Sequence, residues 1–454
     1  MEKLRLTLAI TVCKLLIMIS RLLGKKGSSV PGQIALKICP GVLSHLSKQV
    51  RGKTVFVCGT NGKTTTNNLL YSLFLSEGKK VVCNNVGANM LYGVCCAYIE
   101  KSDLFGKLDA DFAALEVDEA SAVKVVPQVK PDIMVITNLF RDQLDRYGEI
   151  DNTLNYIKRA LEFSPETKLL LNGDDPLLVQ FGLSPNRKAW YMCVDENVGI
   201  SVNEVREGQF CSLCGSKLIY DYYHYSQLGK FSCPSCGFKR PEPDFKIDNV
   251  KLGEGISFTM DYFGKSKTFD VPYRGFYNIY NIALSYSAAY LALGNDIENS
   301  DKVFSDYKPQ TGRMEEFTLG NKKIILNLSK NPAGFNQSIA AVGKDTRKKD
   351  VLVAINDNAG DGKDVSWLWD VDFERLKSVD AEKIVISGER ALDLAVRLKY
   401  AGISEEKIII ASDLKDAAKM LVDSKNEVCY ALVNYTVVFK MQEIFKEIEK
   451  KYGR

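Results

Sequence analysis

The chain of 454 residues contains no run of about 20 uncharged apolar residues, so the sequence predicts no membrane-spanning helix. Neither sign of charge is in excess: 60 basic and 56 acidic residues leave a net charge of +4, too small to favour nucleic acid as a partner. Only two histidines are present, His45 and His224, and neither lies in a recognisable nucleophile context. A catalytic cysteine–histidine pair is therefore hard to build within this chain.

The 12 cysteines do not indicate a disulfide framework. Eight are scattered, and several of these, such as Cys58, Cys83 and Cys429, lie within apolar runs where cysteine behaves as a small hydrophobic residue. This distribution is typical of a reducing cytosol, so we expect a cytoplasmic protein. The hydrophobic content of 46% and charged content of 26% are those of an ordinary globular chain with two or three domains.

The N-terminal segment, residues 4–23, is apolar but interrupted by Arg5, Lys14 and Arg21. No small-residue cleavage site follows it, since residues 24–27 are Gly-Lys-Lys-Gly, and we do not expect a secretory signal. We expect an amphipathic helix that packs on the main body. The alternative is a basic helix that rests on anionic lipid at the inner face of the plasma membrane.

Short apolar segments alternate with longer helical patterns, which predicts α/β domains with parallel-rich sheets. The predicted strands are 53–58, 112–117, 133–138, 168–172, 323–328, 351–355, 383–386, 407–410 and 428–433. A polar stretch at 299–312 separates the two sets. We therefore predict an N-terminal helical segment over 1–48, a central domain over 49–305 and a Rossmann-like C-terminal domain over 306–454.

One segment indicates the chemistry most directly, and it reads Gly59-Thr60-Asn61-Gly62-Lys63-Thr64. It follows an apolar run and precedes the start of a helix at Thr65, which is the layout of a phosphate-binding loop. Glycines let backbone N–H groups close on phosphate oxygens. Lys63 would reach the β- and γ-phosphates of ATP, and the Thr64 hydroxyl would ligate Mg²⁺.

Two Cys-x-x-Cys-Gly turns lie within a distinct insertion at about residues 205–245. The cysteines are Cys211, Cys214, Cys233 and Cys236. Four thiolates complete a tetrahedral zinc site without an open position, so the predicted zinc is structural and would supply the folding energy of this ribbon. His224 lies between the turns, and we expect it to be a packed or exposed residue rather than a ligand.

The phosphate loop in its narrow Gly-Thr-Asn-Gly-Lys-Thr form resembles that of the Mur ligases and folylpolyglutamate synthases. The segments that agree further are 115–119, 137–146, 275–283 and 312–313. The resemblance implies a Mur-ligase-like central domain in which Glu116 binds Mg²⁺. It also implies that Asn281 and Arg313 contact the nucleotide together with the loop residues 59–65.

The chain departs from the family pattern at two places. Gln143 stands where the family has a metal-binding histidine, so the number of Mg²⁺ ions stays open. Residues 327–332, Asn-Leu-Ser-Lys-Asn-Pro, replace the family's Asp-x-x-His-Asn-Pro segment, which weakens the alternative of a ligase that adds an amino acid. A third alternative is a nucleotide-sensing scaffold that has lost its ligase chemistry.

The cysteine insertion and segments 331–334, 356–367 and 434–436 resemble an amidating branch of the Mur ligases. The resemblance implies ATP-dependent amidation of the D-glutamate α-carboxylate in the lipid II stem peptide through an acyl phosphate. It further implies a heterodimer in which a GatD-type glutaminase delivers the ammonia.

In this branch, the resemblance assigns Asp364 to the partner's catalytic cysteine–histidine pair, as the third member of a triad. Three other aspartates crowd the same segment, Asp357, Asp361 and Asp370. Asn, Asp and Gly also form ordinary surface turns. However, Trp367 and Trp369 follow directly, and large aromatic residues beside a polar loop are typical of an interface anchor. We therefore expect the subunit interface here.

Overall fold

The structure, a computed structural model, describes residues 2–24, 27–84, 88–142, 150–199, 207–253, 255–307 and 312–452. The helices are α1 (Glu2–Leu22), α2 (Val30–Ile38), α3 (Val42–Ser47), α4 (Lys63–Ser76), α5 (Leu91–Lys101), α6 (Glu119–Val125), α7 (Ile150–Glu162), α8 (Pro176–Val179), α9 (Tyr277–Leu293), α10 (Ser300–Asp306), α11 (Pro332–Lys344), α12 (Ala391–Tyr400), α13 (Leu414–Val422) and α14 (Tyr435–Tyr452). Short 3-10 helices span Gln180–Leu183, Ser366–Asp370, Phe373–Lys377 and Glu405–Lys407.

Seventeen strands are described, in two large sheets and one hairpin. Those of the first half are β1 (Thr54–Cys58), β2 (Val81–Cys83), β3 (Phe112–Glu116), β4 (Ile133–Ile136), β5 (Lys168–Asn172), β6 (Ala189–Val194), β7 (Ile219–Tyr225), β8 (Leu228–Ser232), β9 (Phe245–Leu252), β10 (Ile256–Tyr262) and β11 (Lys265–Val271). Those of the second half are β12 (Glu315–Leu319), β13 (Lys322–Leu328), β14 (Lys349–Ala354), β15 (Ala381–Ser387), β16 (Ile408–Ile410) and β17 (Val428–Val433).

The larger sheet has the order β11-β10-β9-β6-β5-β4-β1-β3-β2. In this sheet, the neighbouring strands β2, β3, β1, β4, β5, β6 and β9 pair in parallel, and β9, β10 and β11 form an antiparallel edge. Central strand β1 is buried on both faces, as a parallel strand covered by helices must be. Val55 and Val57 pack towards α4 and α9, whereas Phe56 and Cys58 face the helices of the opposite layer.

The second sheet has the order β12-β13-β17-β14-β15-β16 and is parallel except for the β12–β13 hairpin. Helices α11 and α12 cover one face, and α13 and α14 cover the other. The predicted α/β fold class with two parallel-rich sheets is confirmed. The predicted domain limits stay a prediction, and part of the predicted boundary, residues 308–311, lies outside the described residues.

The cysteine insertion lies between β6 and β9 and contains the β7–β8 hairpin. Its own core is small, comprising Leu218, Phe231 and Phe238 beside two of the cysteines. Such a core is too small to hold the segment folded, which is consistent with a stabilising metal.

The N-terminal helices pack on the main body. One face of α1 is buried against α2 and α5, through Leu6, Ile10, Cys13 and Ile17. Among the described residues, no helix has both the length and the apolar character needed to cross a bilayer. The opposite face of α1 is exposed.

Candidate active site

The predicted phosphate loop connects β1 to α4 at the carboxyl edge of the larger sheet. Gly59 and Gly62 have φ angles of +119° and +84°. A Cβ atom on Gly62 would lie 2.2 Å from Asn281 Oδ1, and one on Gly59 would lie 2.3 Å from Thr137 Oγ1. Glycine is therefore required at both positions, and the first N–H groups of α4 are left to face the loop.

Lys63 is buried within this loop and forms an ion pair with Glu119, with 3.1 Å between Nζ and Oε1. The same Oε1 accepts a 2.6 Å hydrogen bond from Gly59 N. Burial alone would lower the pKa of Lys63, but the neighbouring carboxylates, above all Glu119, raise it above the ordinary lysine value. The ammonium group therefore stays charged and is held where a phosphate oxygen would compete with Glu119.

The segment after β4 forms hydrogen bonds with the same loop. Asn138 accepts from Asn61 N at 2.9 Å and donates to Asn61 O at 3.1 Å. The Thr60 side chain exchanges hydrogen bonds with the backbone of Phe140 at 3.0 and 3.1 Å. These hydrogen bonds order the loop backbone without a bound ligand. Gln143, the predicted departure from the family's metal site, lies outside the described residues.

Glu116 ends β3 at the same edge of the sheet and is buried. Its Oε1 accepts a 3.0 Å hydrogen bond from Asn89 Nδ2. Thr64 lies in the first turn of α4, so both predicted Mg²⁺ ligands belong to elements that end or begin at the carboxyl edge, where open α/β sheets bind ligands. Glu119, three residues after Glu116, is the carboxylate in direct contact with Lys63.

The C-terminal domain reaches over the loop. Asn331, which caps the N-terminus of α11, exchanges side-chain hydrogen bonds with Asn61 at 3.1 and 3.3 Å. Lys330 forms an ion pair with Asp142 beside it. The segment that departs from the family pattern therefore touches the phosphate loop directly, and a ligand there would contact both domains.

A cavity of about 300 Å³ adjoins the loop between the two domains. Its lining includes Thr65, Tyr273, Tyr277, Tyr307 and Arg313. A second, smaller hollow beside it is lined by Asn61, Asn138, Asn281 and the same Arg313. Aromatic side chains beside an arginine suit a planar base with a charged or polar attachment. Asn281 also packs behind Gly62, which gives it a role in the loop itself.

Asp364 lies in the predicted interface segment and is partly exposed. Its Oδ1 accepts a 2.8 Å hydrogen bond from Ser366 N. The Ser366 hydroxyl and then the Ser366 N–H lower the pKa of the carboxyl below its ordinary value. At neutral pH the carboxylate is therefore charged and held by its own turn.

The three neighbouring aspartates are occupied elsewhere. Asp357 forms an ion pair with Arg390, and Asp370 pairs with Arg141 of the central domain at 3.1 Å. Asp361 is buried and accepts hydrogen bonds from Thr436 N and Oγ1. Of the four, Asp364 is thus the carboxylate best placed to meet another chain.

The two tryptophans differ, and the expectation that both anchor an interface is wrong for one of them. Trp367 is only 8% exposed and packs against Phe335 in the domain core, 5.6 Å between ring centroids. Trp369 is 55% exposed and packs edge-on against Tyr400, which is 75% exposed. Leu392 and Val396 are also exposed, and together with Trp369 they line a hollow of about 240 Å³.

The four cysteines of the insertion converge, with all four sulfur atoms within 4.8 Å of one another. The shortest pairs are Cys211–Cys236 and Cys214–Cys233, each 3.5 Å between sulfurs. Zn–S bonds of about 2.3 Å place tetrahedral sulfurs about 3.8 Å apart, so the set fits zinc. Within the described ranges, no other group of three or more His, Cys, Asp and Glu side chains meets in this way.

The tip of the β7–β8 hairpin reaches from this insertion to the active-site edge. Gln227 is fully buried, and its Nε2 donates a 2.6 Å hydrogen bond to Leu139 O. Asp175 accepts from Leu139 N at 2.9 Å on the other side. The segment after β4, which is hydrogen-bonded to the phosphate loop, is therefore itself hydrogen-bonded to the insertion. His224 is buried as a packed residue, and its Nδ1 is hydrogen-bonded to the Tyr280 hydroxyl.

Comparison with known proteins identifies the family. Family models match as the Mur ligase middle domain over residues 57–231 and as the MurT ligase C-terminal domain over residues 328–438. The lipid II isoglutaminyl synthase (glutamine-hydrolyzing) subunit MurT of Staphylococcus aureus strain N315 is 36% identical over 435 residues, 96% of each chain. The chain belongs to the MurT family.

A second MurT subunit, that of Streptococcus pneumoniae strain R6, is 34% identical over 420 residues and 92% of each chain. Among solved structures, a pseudomurein peptide ligase type C from Methanothermus fervidus shares the fold, with a TM-score of 0.70 and 23% identity. That alignment covers 89% of this chain and 80% of the ligase. The resemblance inferred from the motifs is confirmed, as is the Mur-ligase-like fold.

Three residues of this MurT-family site make contacts that the sequence motifs did not predict: Glu119, Asn138 and Gln227. Glu119 and Asn138 lie within segments 115–119 and 137–146, which carry the family resemblance, but no role was predicted for either residue. Gln227 lies outside those segments. The roles predicted for Lys63 and Glu116 stay predictions.

Proposed function

We propose that this chain is the ATP-dependent subunit of an enzyme that amidates the D-glutamate α-carboxylate of the lipid II stem peptide to D-isoglutamine, in peptidoglycan synthesis. The observation that carries the proposal is that one chain of the MurT family combines two features. One is a preformed phosphate loop around Lys63, and the other is a charged, outward carboxylate at Asp364 beside an apolar patch.

A carboxylate is a poor electrophile, so it must first be activated. A carboxylate oxygen attacks the γ-phosphorus of ATP, the bond to ADP breaks, and an acyl phosphate forms. The lone pair of ammonia then adds to the carbonyl carbon, phosphate leaves, and the surplus proton passes to solvent or phosphate. Lys63 and the loop N–H groups would hold the phosphates, and Mg²⁺ bound by Thr64 and Glu116 would offset their charge.

The nucleotide base would occupy the aromatic-lined cavity between the domains. Arg313 lines both hollows and would donate hydrogen bonds to a phosphate or to the ribose. Asn281 lines the smaller hollow beside the loop. Thr60, Asn61 and Thr65 would complete the nucleotide site through the loop backbone and first helical turn. The contact of Asn331 with Asn61 suggests that nucleotide and acceptor meet where the domains meet.

Ammonia would come from a GatD-type glutaminase that forms a heterodimer with this chain. Asp364 would accept a hydrogen bond from the partner's catalytic histidine and orient it. Trp369 and Tyr400 would anchor the contact, since exposed aromatic residues dominate interface energetics. The lowered pKa of Asp364 suits this role, because the residue must be ionised at neutral pH.

The four cysteines would hold a structural zinc ion, with no position left for a substrate. We further propose that the chain acts in the cytoplasm at the inner face of the plasma membrane, where its lipid-linked substrate is anchored. Nucleic acid is not proposed as a partner.

The test uses the purified chain with ATP, Mg²⁺ and lipid II, and mass spectrometry of the product. Ammonium alone should yield the amide, and glutamine should yield it only when the glutaminase is added. A product that contains an added amino acid, without amide formation, would support the Mur-type or folylpolyglutamate-type ligase alternative. Nucleotide binding with no product under any of these conditions would support the scaffold alternative.

A further inference from the structure

The outer face of α1 presents a row of large apolar side chains that the described part of the chain leaves uncovered. Their exposed fractions run from 42% to 79%. They are Leu4, Leu8, Leu15, Met18, Ile19 and Leu22. At about 100° per residue these positions fall in one sector of the helix, opposite the buried face that packs on the body. Soluble proteins rarely leave a continuous apolar row of this kind exposed without a binding function.

Cations border this row. Lys3 and Arg21 lie along one edge of the sector and Arg5 along the other, and all three are exposed. In the sequence, residues 2–50 contain eight lysines and arginines and one acidic residue, Glu2 at the start of α1. At one edge of the sector, Arg21 pairs with Glu100 of α5. The unit therefore combines an apolar stripe with a cationic border.

A neighbouring loop adds to the apolar surface. Phe105 is 80% exposed and Leu104 is 49% exposed. The loop lies against α1, because a Cβ atom on Gly106 would be 2.9 Å from Leu6 Cδ2. An aromatic side chain next to an exposed apolar helix is typical of contact with a lipid interface.

We propose that the outer face of α1 docks on an anionic lipid bilayer, with the helix parallel to the membrane plane. A second copy of this chain would bring the same cations to the interface and would be repelled, whereas anionic headgroups complement the cations and acyl chains accept the apolar row. The docking rests on the surface alone and does not depend on the proposed reaction.

The experiment is sedimentation of the full chain with sucrose-loaded vesicles, made of phosphatidylcholine alone or with 30% phosphatidylglycerol. Binding to the anionic vesicles is expected, at least tenfold tighter than to the neutral ones and weakened by salt. The double variant Leu8→Glu/Leu15→Glu should lose at least tenfold in binding. Leu183→Glu alters an equally exposed leucine, 49%, away from α1 and should bind like the wild type.

Lys3→Gln/Arg5→Gln should bind more weakly and with a smaller salt dependence than the wild type. Circular dichroism and thermal melting show whether each variant is folded, and amidation of a water-soluble acceptor by Leu8→Glu/Leu15→Glu should be unchanged. Equal binding of wild type and double variant would overturn the proposal. The proposal would also be overturned if the wild type did not bind vesicles and the double variant instead abolished a dimer or a complex with the glutaminase.

Discussion

Replacing Gln227 with alanine tests whether the cysteine insertion acts on the phosphate loop. The Gln227 side chain is fully buried, and its amide is the donor to Leu139 O at 2.6 Å. Truncation leaves that carbonyl without this donor and opens a small cavity, which together cost about 2–4 kcal/mol. The cost falls on the segment that holds Asn61 and Thr60 through Asn138 and Phe140.

Nucleotide binding would then have to restore the order of this segment. If about 1.4–2 kcal/mol of the cost is recovered only on binding, the Kd for ADP rises about tenfold to thirtyfold. Isothermal titration calorimetry with ADP and Mg²⁺ measures this directly. Zinc content should equal that of the wild type, because Gln227 lies at the hairpin tip, away from the cysteines.

Gln180→Ala is the matched control. Its amide also donates to a backbone carbonyl, Leu177 O at 2.9 Å, but this acceptor lies only three residues away, in the adjoining helix α8. It should lower thermal stability without changing the Kd for ADP. If Gln227→Ala also leaves the Kd unchanged while it destabilises the protein, the insertion does not brace the loop and the reasoning is refuted.

Three further changes separate the parts of the proposed enzyme. Lys63→Ala should reduce amidation with ammonium or glutamine by about a hundredfold or more, since it removes the cation that holds the phosphates; unchanged amidation would contradict the loop assignment. Asp364→Asn should reduce glutamine-driven amidation about 10²–10⁴-fold and spare ammonia-driven amidation. Because the pKa of Asp364 is below its ordinary value, this loss should be the same at pH 6.5 and 8.5. Equal loss of glutamine-driven and ammonia-driven amidation would place Asp364 in the ligase site or the core instead of at the glutaminase. Removal of zinc by a chelator should expose residues 207–242 to proteolysis and weaken ADP binding as Gln227→Ala does; retained protection would contradict the ribbon.

Local patterns made much of the site predictable. The Gly-Thr-Asn-Gly-Lys-Thr loop at 59–64 combines two glycines, a lysine and a threonine between an apolar strand and a helix, and the structure places it there. The four-cysteine metal site was equally predictable, because the two cysteines of each turn are only three residues apart. Trp367 and Trp369, by contrast, lie two residues apart in one segment, and packing against Phe335 buries Trp367 whereas Trp369 stays exposed.

By itself, the sequence determined nine of the seventeen described strands, the phosphate loop and the cysteine set, because each depends on residues within a few positions of one another. The strands it did not predict, β2 and β6 to β12, include the antiparallel edge and the inserted hairpin. Tertiary structure decided which distant residues complete the site. Asn331 meets Asn61 across 270 positions, and Gln227 reaches Leu139 across 88. Such contacts depend on how sheets, helices and an inserted hairpin pack together, and side-chain polarity alone does not specify the partner. The same packing buries one face of α1 and leaves its second apolar face outward.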